Sequence, residues 1–301
     1  MRAAALLLIV LLAGCAQSPQ APPPALVELF AETIVEELDF RLEAENMLDV
    51  AAVLHDAGQT IIVVPRPHPE LQLASVIALE RFDDWVGEYP YTTLTIVDAV
   101  GGAGGMEYPT LITGFTFYGE PEWMKTPLES TAIHEFGHQY FYGLLASNEF
   151  EEPWLDEGMT SYLESRIMDD AYGSGSELSF AGLEIGSRDR QRISYTKNDP
   201  SAGVVYAYAW KHNFGTYGKV SYAKPATIMN ALEAYLGWDT MREFLRTYYA
   251  RWRFNHPTTR DLIDDAEEVS AQDLSWFFDQ YVYDDAYVDY RLDRVINRNV
   301  G

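Results

Sequence analysis

Two histidines stand four residues apart, His134 and His138, with Glu135 directly after the first. On a helix, positions i and i+4 project from one face, so both imidazoles can reach one metal ion. Glu135 points about 100° around the same helix, beside the metal rather than on it. That is the place for a general base acting on water at the metal. Two imidazoles, a carboxylate and an open fourth position define a hydrolytic zinc site, and a structural zinc would call for cysteines. The chain has six histidines and a single cysteine. A third ligand is needed, and Glu157 is the natural candidate, eighteen residues separating it from His138.

These residues must be positioned by two helices. The periodicity predicts one over 128–146, carrying the histidines, and one over 154–170, opened by Pro153 and Trp154 and carrying Glu157. An antiparallel pair would bring Glu157 back over the histidines, and Gly158 permits close helix approach. Earlier in the chain, "TIIVVP", "TLTIVD" and "LITGFTFYG" read as strands. Helices are predicted over 26–57, 71–87, 221–236, 238–252, 258–267 and 271–280. Residues 172–215, rich in Gly, Ser, Tyr and Asn, receive no assignment. Strands first and helices after give an α+β order, a small mixed sheet followed by a mainly helical part.

His134-Glu135-x-x-His138, with Glu157 inside "WLDEGMTSYLE", resembles the gluzincin metallopeptidases of the aminopeptidase N family. "GGMEYPT" at 104–110 resembles that family's Gly-x-Met-Glu-Asn motif, and "SYAKPATIMNALEAYLG" at 221–237 its Tyr-x-Lys-Gly segment. The resemblance runs from about residue 75 to about residue 285. It implies a thermolysin-like zincin catalytic domain holding one zinc ion and acting on peptide or protein substrates. It implies that Tyr222 donates a hydrogen bond to the oxyanion, a role worth about 3–4 kcal/mol in the best cases. Glu107 would bind the substrate's free α-amine, with Gly105 and Met106 beside the substrate backbone, and Lys224 would be structural. Three positions depart from the family pattern: Tyr108 for asparagine, Asp156 for asparagine and Pro225 for glycine. Tyr108 bears on strict aminopeptidase specificity more than on hydrolysis. An endopeptidase needs only that Glu107 not select the amine. A non-catalytic peptide-binding lipoprotein is the reading from another class. Members of the family normally carry a β-sandwich before the catalytic domain and a helical domain after it. The chain is expected to hold the catalytic domain alone, at 73–301.

The first residues carry a different signal. "MRAAALLLIVLLAGC" has one basic residue and an apolar run too short to span a membrane, the length of a signal-peptide core. Leu12-Ala13-Gly14-Cys15 resembles the bacterial lipobox, which implies cleavage after residue 14, lipidation of Cys15 and attachment to a membrane in the cell envelope. Residues 15–25 then read as a proline-rich tether. Residues 26–72 are a helix and strand of uncertain origin. "ELDFRLEAEN" within them resembles a segment of the atypical kinases of ubiquinone biosynthesis, but no nucleotide-binding loop, catalytic loop or Asp-Phe-Gly accompanies it, so no kinase activity is expected. With 46 acidic and 21 basic residues the chain carries a net charge of −25. That surface excludes nucleic acid as a partner and disfavours electrostatic docking on anionic lipid.

Overall fold

The computed structural model describes residues 69–98, 105–114, 127–196 and 203–285. All of these lie in the unit formed by residues 68–301. The proposed signal peptide, Cys15, the tether, the 26–57 helix, the "TIIVVP" strand and the second half of "LITGFTFYG" lie outside the described residues.

Helix α1 spans Pro69–Trp85 and buries Ala74, Ala78, Phe82 and Trp85, spaced three and four apart on one face. Strands β1, Thr95–Asp98, and β2, Leu111–Gly114, pair in parallel, Thr95 opposite Leu111 and Asp98 opposite Gly114. The loop between them returns as a third edge, where Met106 and Thr113 exchange backbone hydrogen bonds at 3.3 and 2.9 Å. Helix α2 spans Pro127–His138 and widens into a π-helical turn over Gln139–Leu144. Leu145 N donates to Tyr140 O five residues back, at 2.7 Å. After a 3₁₀ turn at Pro153–Leu155, α3 spans Glu157–Tyr172 and is buried on most of its circumference. It is the central helix, packed against α1 and α2 on one side.

The segment that the sequence left unassigned folds as an antiparallel hairpin, β3 Leu178–Phe180 with β4 Leu183–Ile185, followed by α4, Ser187–Thr196. Among the described residues the strands thus form two separate two-stranded sheets, one parallel and one antiparallel. Helix α5, Phe214–Tyr217, runs into a second π-helical turn, Gly218–Ala223, and then α6, Lys224–Leu236. Pro225 accounts for this widening. It has no N–H to give Ser221, and its ring would press on that carbonyl in a regular helix. Helices α7, Trp238–Trp252, α8, Thr259–Ser270, and α9, Ser275–Tyr281, complete the helical part. No helix among the described residues is long and apolar enough to cross a membrane.

One apolar core runs through α1, α2, α3, α6 and α7. Phe82 stacks on Tyr140 at 4.9 Å and meets Phe136 edge-on at 5.6 Å. The histidine helix is therefore held by aromatic packing on the side away from its histidines.

Candidate metal centre and active-site cleft

The five residues Trp154 to Gly158 each do a different job. Trp154 is fully buried, and its Nε1 donates to Thr259 Oγ1 at 2.9 Å. Glu152 accepts from the Thr259 amide at 2.7 Å, so the entry to α3 is pinned to the start of α8. Leu155 enters the core. Asp156 accepts from His138 Nδ1 at 2.5 Å. Glu157 faces both histidines, its Oε2 lying 3.3 Å from His134 Nε2 and 3.3 Å from His138 Nε2. Gly158 lies against the next element: a Cβ there would stand 2.5 Å from Pro225 Cβ and 3.2 Å from Ser221 O.

His134 Nδ1 pairs with Glu164 Oε2 at 3.2 Å. The earlier histidine thus meets the later carboxylate, and the later histidine the earlier one, as in an antiparallel helix pair. Each Nδ1–H donates outward to a carboxylate, which turns each Nε2 toward Glu157. That is the orientation that a metal-binding imidazole requires.

The set fits zinc. Ligand bonds of about 2.0–2.1 Å at tetrahedral angles place neighbouring ligand atoms about 3.3 Å apart. Both nitrogen-to-oxygen separations have that value. The ligand-bearing atoms of His134, His138 and Glu157 all lie within 4.8 Å of one another.

Glu135 is 6% exposed, and its Oε2 has no hydrogen-bond partner. Burial pushes its carboxyl up to about 7, the two histidines opposing that rise. It has the properties of a proton acceptor that works near neutrality. In the metal-free protein, burial disfavours a charge on His134, but bonds to Glu157 and Glu164 outweigh it and raise the imidazole to about 9. His138 is raised too, the charge and hydrogen bond of Asp156 overcoming burial. Glu157 is buried as well, yet its bonds to the two histidines hold its carboxyl well below the usual range.

Tyr222 sits on the second π-helical turn, its ring stacked on His134 at 5.7 Å with planes 13° apart. Its hydroxyl donates to Glu157 Oε1 in a short bond. Lys224 is buried and donates to Gly203 O at 3.0 Å, a structural tether. Gly105, Met106 and Glu107 line the same cleft as His134, Glu135 and Tyr222, a cavity of about 600 Å³. The structure brings all the predicted site residues of this unit together.

Sequence reasoning missed four others. Glu164 follows Glu157 by seven residues, two helical turns, so it shares a face with the ligand; that spacing was a usable signal. Gln139 clamps the 105–110 loop onto α2, accepting from Thr110 N at 2.7 Å and donating to Tyr108 O at 3.1 Å. Arg190 of α4 reaches into the cleft and donates to Glu164 Oε1 at 2.6 Å. Glu149 brings a carboxylate next to Glu107 and Asp156. For these three no local signal existed, because each role depends on a partner distant in sequence.

Residues 74–281 match the model of the peptidase family M1 domain. The chain belongs to peptidase family M1. It is 25% identical over 166 residues to a probable aminopeptidase 2 of Sulfurisphaera tokodaii, covering 54% of this chain and 21% of that protein. It is 28% identical over 199 residues to leucine aminopeptidase 2-1 of Meyerozyma guilliermondii, covering 62% and 28%. The chain therefore spans only 21% and 28% of the length of these two relatives. Among solved structures, the M1 zinc metallopeptidase from Deinococcus radiodurans superimposes with a TM-score of 0.55 at 18% identity, covering 79% of this chain and 47% of that one. Leukotriene A4 hydrolase from Saccharomyces cerevisiae gives 0.53 at 18%, covering 71% and 35%. These likenesses show the fold, and the Deinococcus radiodurans protein is a zinc metallopeptidase.

Proposed function

We propose that the chain is a zinc-dependent metallopeptidase that hydrolyses peptide bonds in an aminopeptidase-like manner, on a thermolysin-like zincin domain at 73–301. The observation that carries the reading is one arrangement: two Nε2 atoms 3.3 Å from a single Glu157 oxygen, with the unpaired oxygen of Glu135 in the same cleft. His134, His138 and Glu157 would hold the zinc, which would supply Lewis acidity to water and to a peptide carbonyl. Glu135 takes a proton from the attacking water as its oxygen bonds to the scissile carbonyl carbon. The C–N bond then breaks, and Glu135 returns the proton to the departing nitrogen. Tyr222 offers its hydroxyl to the oxyanion, exchanging its bond to Glu157 for one to substrate. Glu107 binds the substrate's α-ammonium, and Gly105 and Met106 lie along its backbone.

The test is hydrolysis of a panel of aminoacyl-fluorophores by the zinc-loaded chain from residue 16, with Glu135→Gln alongside. A loss of about 10²–10⁴-fold with zinc retained supports the reading. Equal activity in the variant sinks it, and zinc binding without turnover of any peptide makes the chain a non-catalytic binding module. Amino-blocked substrates cleaved as fast as free ones would make it an endopeptidase.

The same reading extends to the amino terminus: a signal peptide at 1–14, lipidated Cys15, a tether to residue 25, and attachment in a bacterial cell envelope. The lipobox-like residues alone support it. Mass spectrometry of the membrane-extracted protein should find acyl chains on Cys15 that Cys15→Ser lacks.

A further inference from the structure

Glu107 faces the cleft, but it also has neighbours on its other side. Carboxylate oxygens of Glu107, Glu149 and Asp156 all lie within 4.8 Å of one another. Asp156 is 1% exposed; one of its oxygens takes the His138 bond, and the other, Oδ2, has no hydrogen-bond partner. A buried, unpaired carboxylate oxygen costs free energy unless something cationic meets it. Among the described residues no lysine or arginine pairs with any of the three, and His138 is the one partner of the Asp156 carboxylate. Glu149 carries the mark of this crowding: burial, then the charge of Glu107, push its carboxyl up.

We propose that Glu107, Glu149 and Asp156 form a second cation site, for calcium, behind the catalytic cleft. An all-oxygen set selects a hard ion over zinc, whose preference is for the imidazole set next door. Calcium–oxygen bonds of about 2.4 Å place ligand oxygens at most about 4.8 Å apart, the bound within which these three lie. The position favours a metal ion over a substrate ammonium, because Glu149 and Asp156 do not line the cleft while Glu107 does. The remaining ligands are water. The ion would fix Glu107 where it faces the substrate and hold Asp156 against His138, so it couples a hard cation to the zinc centre through two shared side chains.

The test is titration of the zinc-loaded chain with calcium chloride by calorimetry. One calcium per chain is expected, with a Kd of about 10⁻⁴–10⁻³ M, the range of extracellular modules. Glu149→Gln should weaken it at least about tenfold while zinc content and the circular dichroism spectrum stay the same. Glu243→Gln, an exposed acid elsewhere, should leave it unchanged. No binding up to about 10 mM, or equal binding by Glu149→Gln, overturns the proposal. So does an absence of calcium binding combined with a raised KM for free-amine substrates in Glu149→Gln, which would make the cluster an ammonium subsite. Calcium binding is read without turnover, so its failure and that of the peptidase reading are separate results.

Discussion

The backbone of Gly105 lies directly against the carboxylate of Glu135: a Cβ on Gly105 would stand 1.8 Å from Glu135 Oε1 and 2.3 Å from Cδ. No side chain fits between the loop before β2 and the base. The loop is fastened to the base's own helix by Gln139, so neither partner can retreat as a rigid body.

Gly105→Ala should therefore act on the base and leave the fold intact. The end of the Glu135 side chain is the part that can swing away, and a displacement of about 1 Å in a catalytic group costs about 10²-fold. The expected outcome is a fall in kcat of that order, with zinc content and Tm close to wild type. Unchanged kcat would mean that Glu135 is not the base, or that the loop opens in solution.

Glu164 and Asp156 hold the outward nitrogens of the two histidines. Removing such partners weakens metal binding about 10–100-fold. Glu164→Ala should show that loss in zinc competition with a chromophoric chelator. Glu164→Gln keeps an acceptor and should recover most of the affinity. Equal affinities in all three proteins would show that His134 is oriented without Glu164.

Much of this centre was legible because its signals are local. The i, i+4 histidines and Gly158 each report on their own turn of helix and sit as the spacing predicts, whereas Pro153 and Trp154 form a 3₁₀ turn and α3 opens three residues later than expected, at Glu157. Helix α7 matches the predicted 238–252 at both ends. Tyr222 was reached only through family resemblance, because its bond to Glu157 joins residues 65 apart. The hairpin and α4 escaped because they expose most of their surface, so burial left little periodic apolar pattern to read. The two π-helical turns also escaped: both sit next to site residues, where an extra residue per turn re-aims side chains against the regular period.

Gly158 and Pro225 form a matched pair between α3 and the start of α6. With Pro225 Cβ 2.5 Å and Cγ 2.9 Å from the missing methyl, Gly158→Ala overpacks a buried contact. It should cost about 1–3 kcal/mol by denaturant unfolding. Pro225→Gly in the same chain should restore part of that loss, since the ring is the nearer obstacle. A double-mutant cycle with no coupling would show that the strain falls on Ser221 O instead.

Removing zinc should make the stability of the fold fall as pH rises from about 6.5 to 9. In the metal-free protein His134 has a folded pKa of about 9 against about 6.5 for an unperturbed imidazole. A raised value means that the folded state binds the extra proton between those limits. Its contribution is complete below about 6.5 and is lost as pH rises through about 9. Glu135, raised to about 7, adds loss of the same sign over the lower window from its unfolded value up to about 7. Glu157 and Glu164, both lowered, act oppositely: their contribution is present above about 4.5 and lost as pH falls below it. The metal-free Tm should therefore peak in mildly acidic buffer and decline from pH 6.5 to 9. In the zinc-loaded protein the imidazoles are already neutral, and alkaline pH removes no proton from them. Its Tm should stay level over that interval, so the gap between the two forms should widen. A metal-free Tm that rises from pH 6.5 to 9 would show that the histidines are not held protonated by Glu157, Glu164 and Asp156.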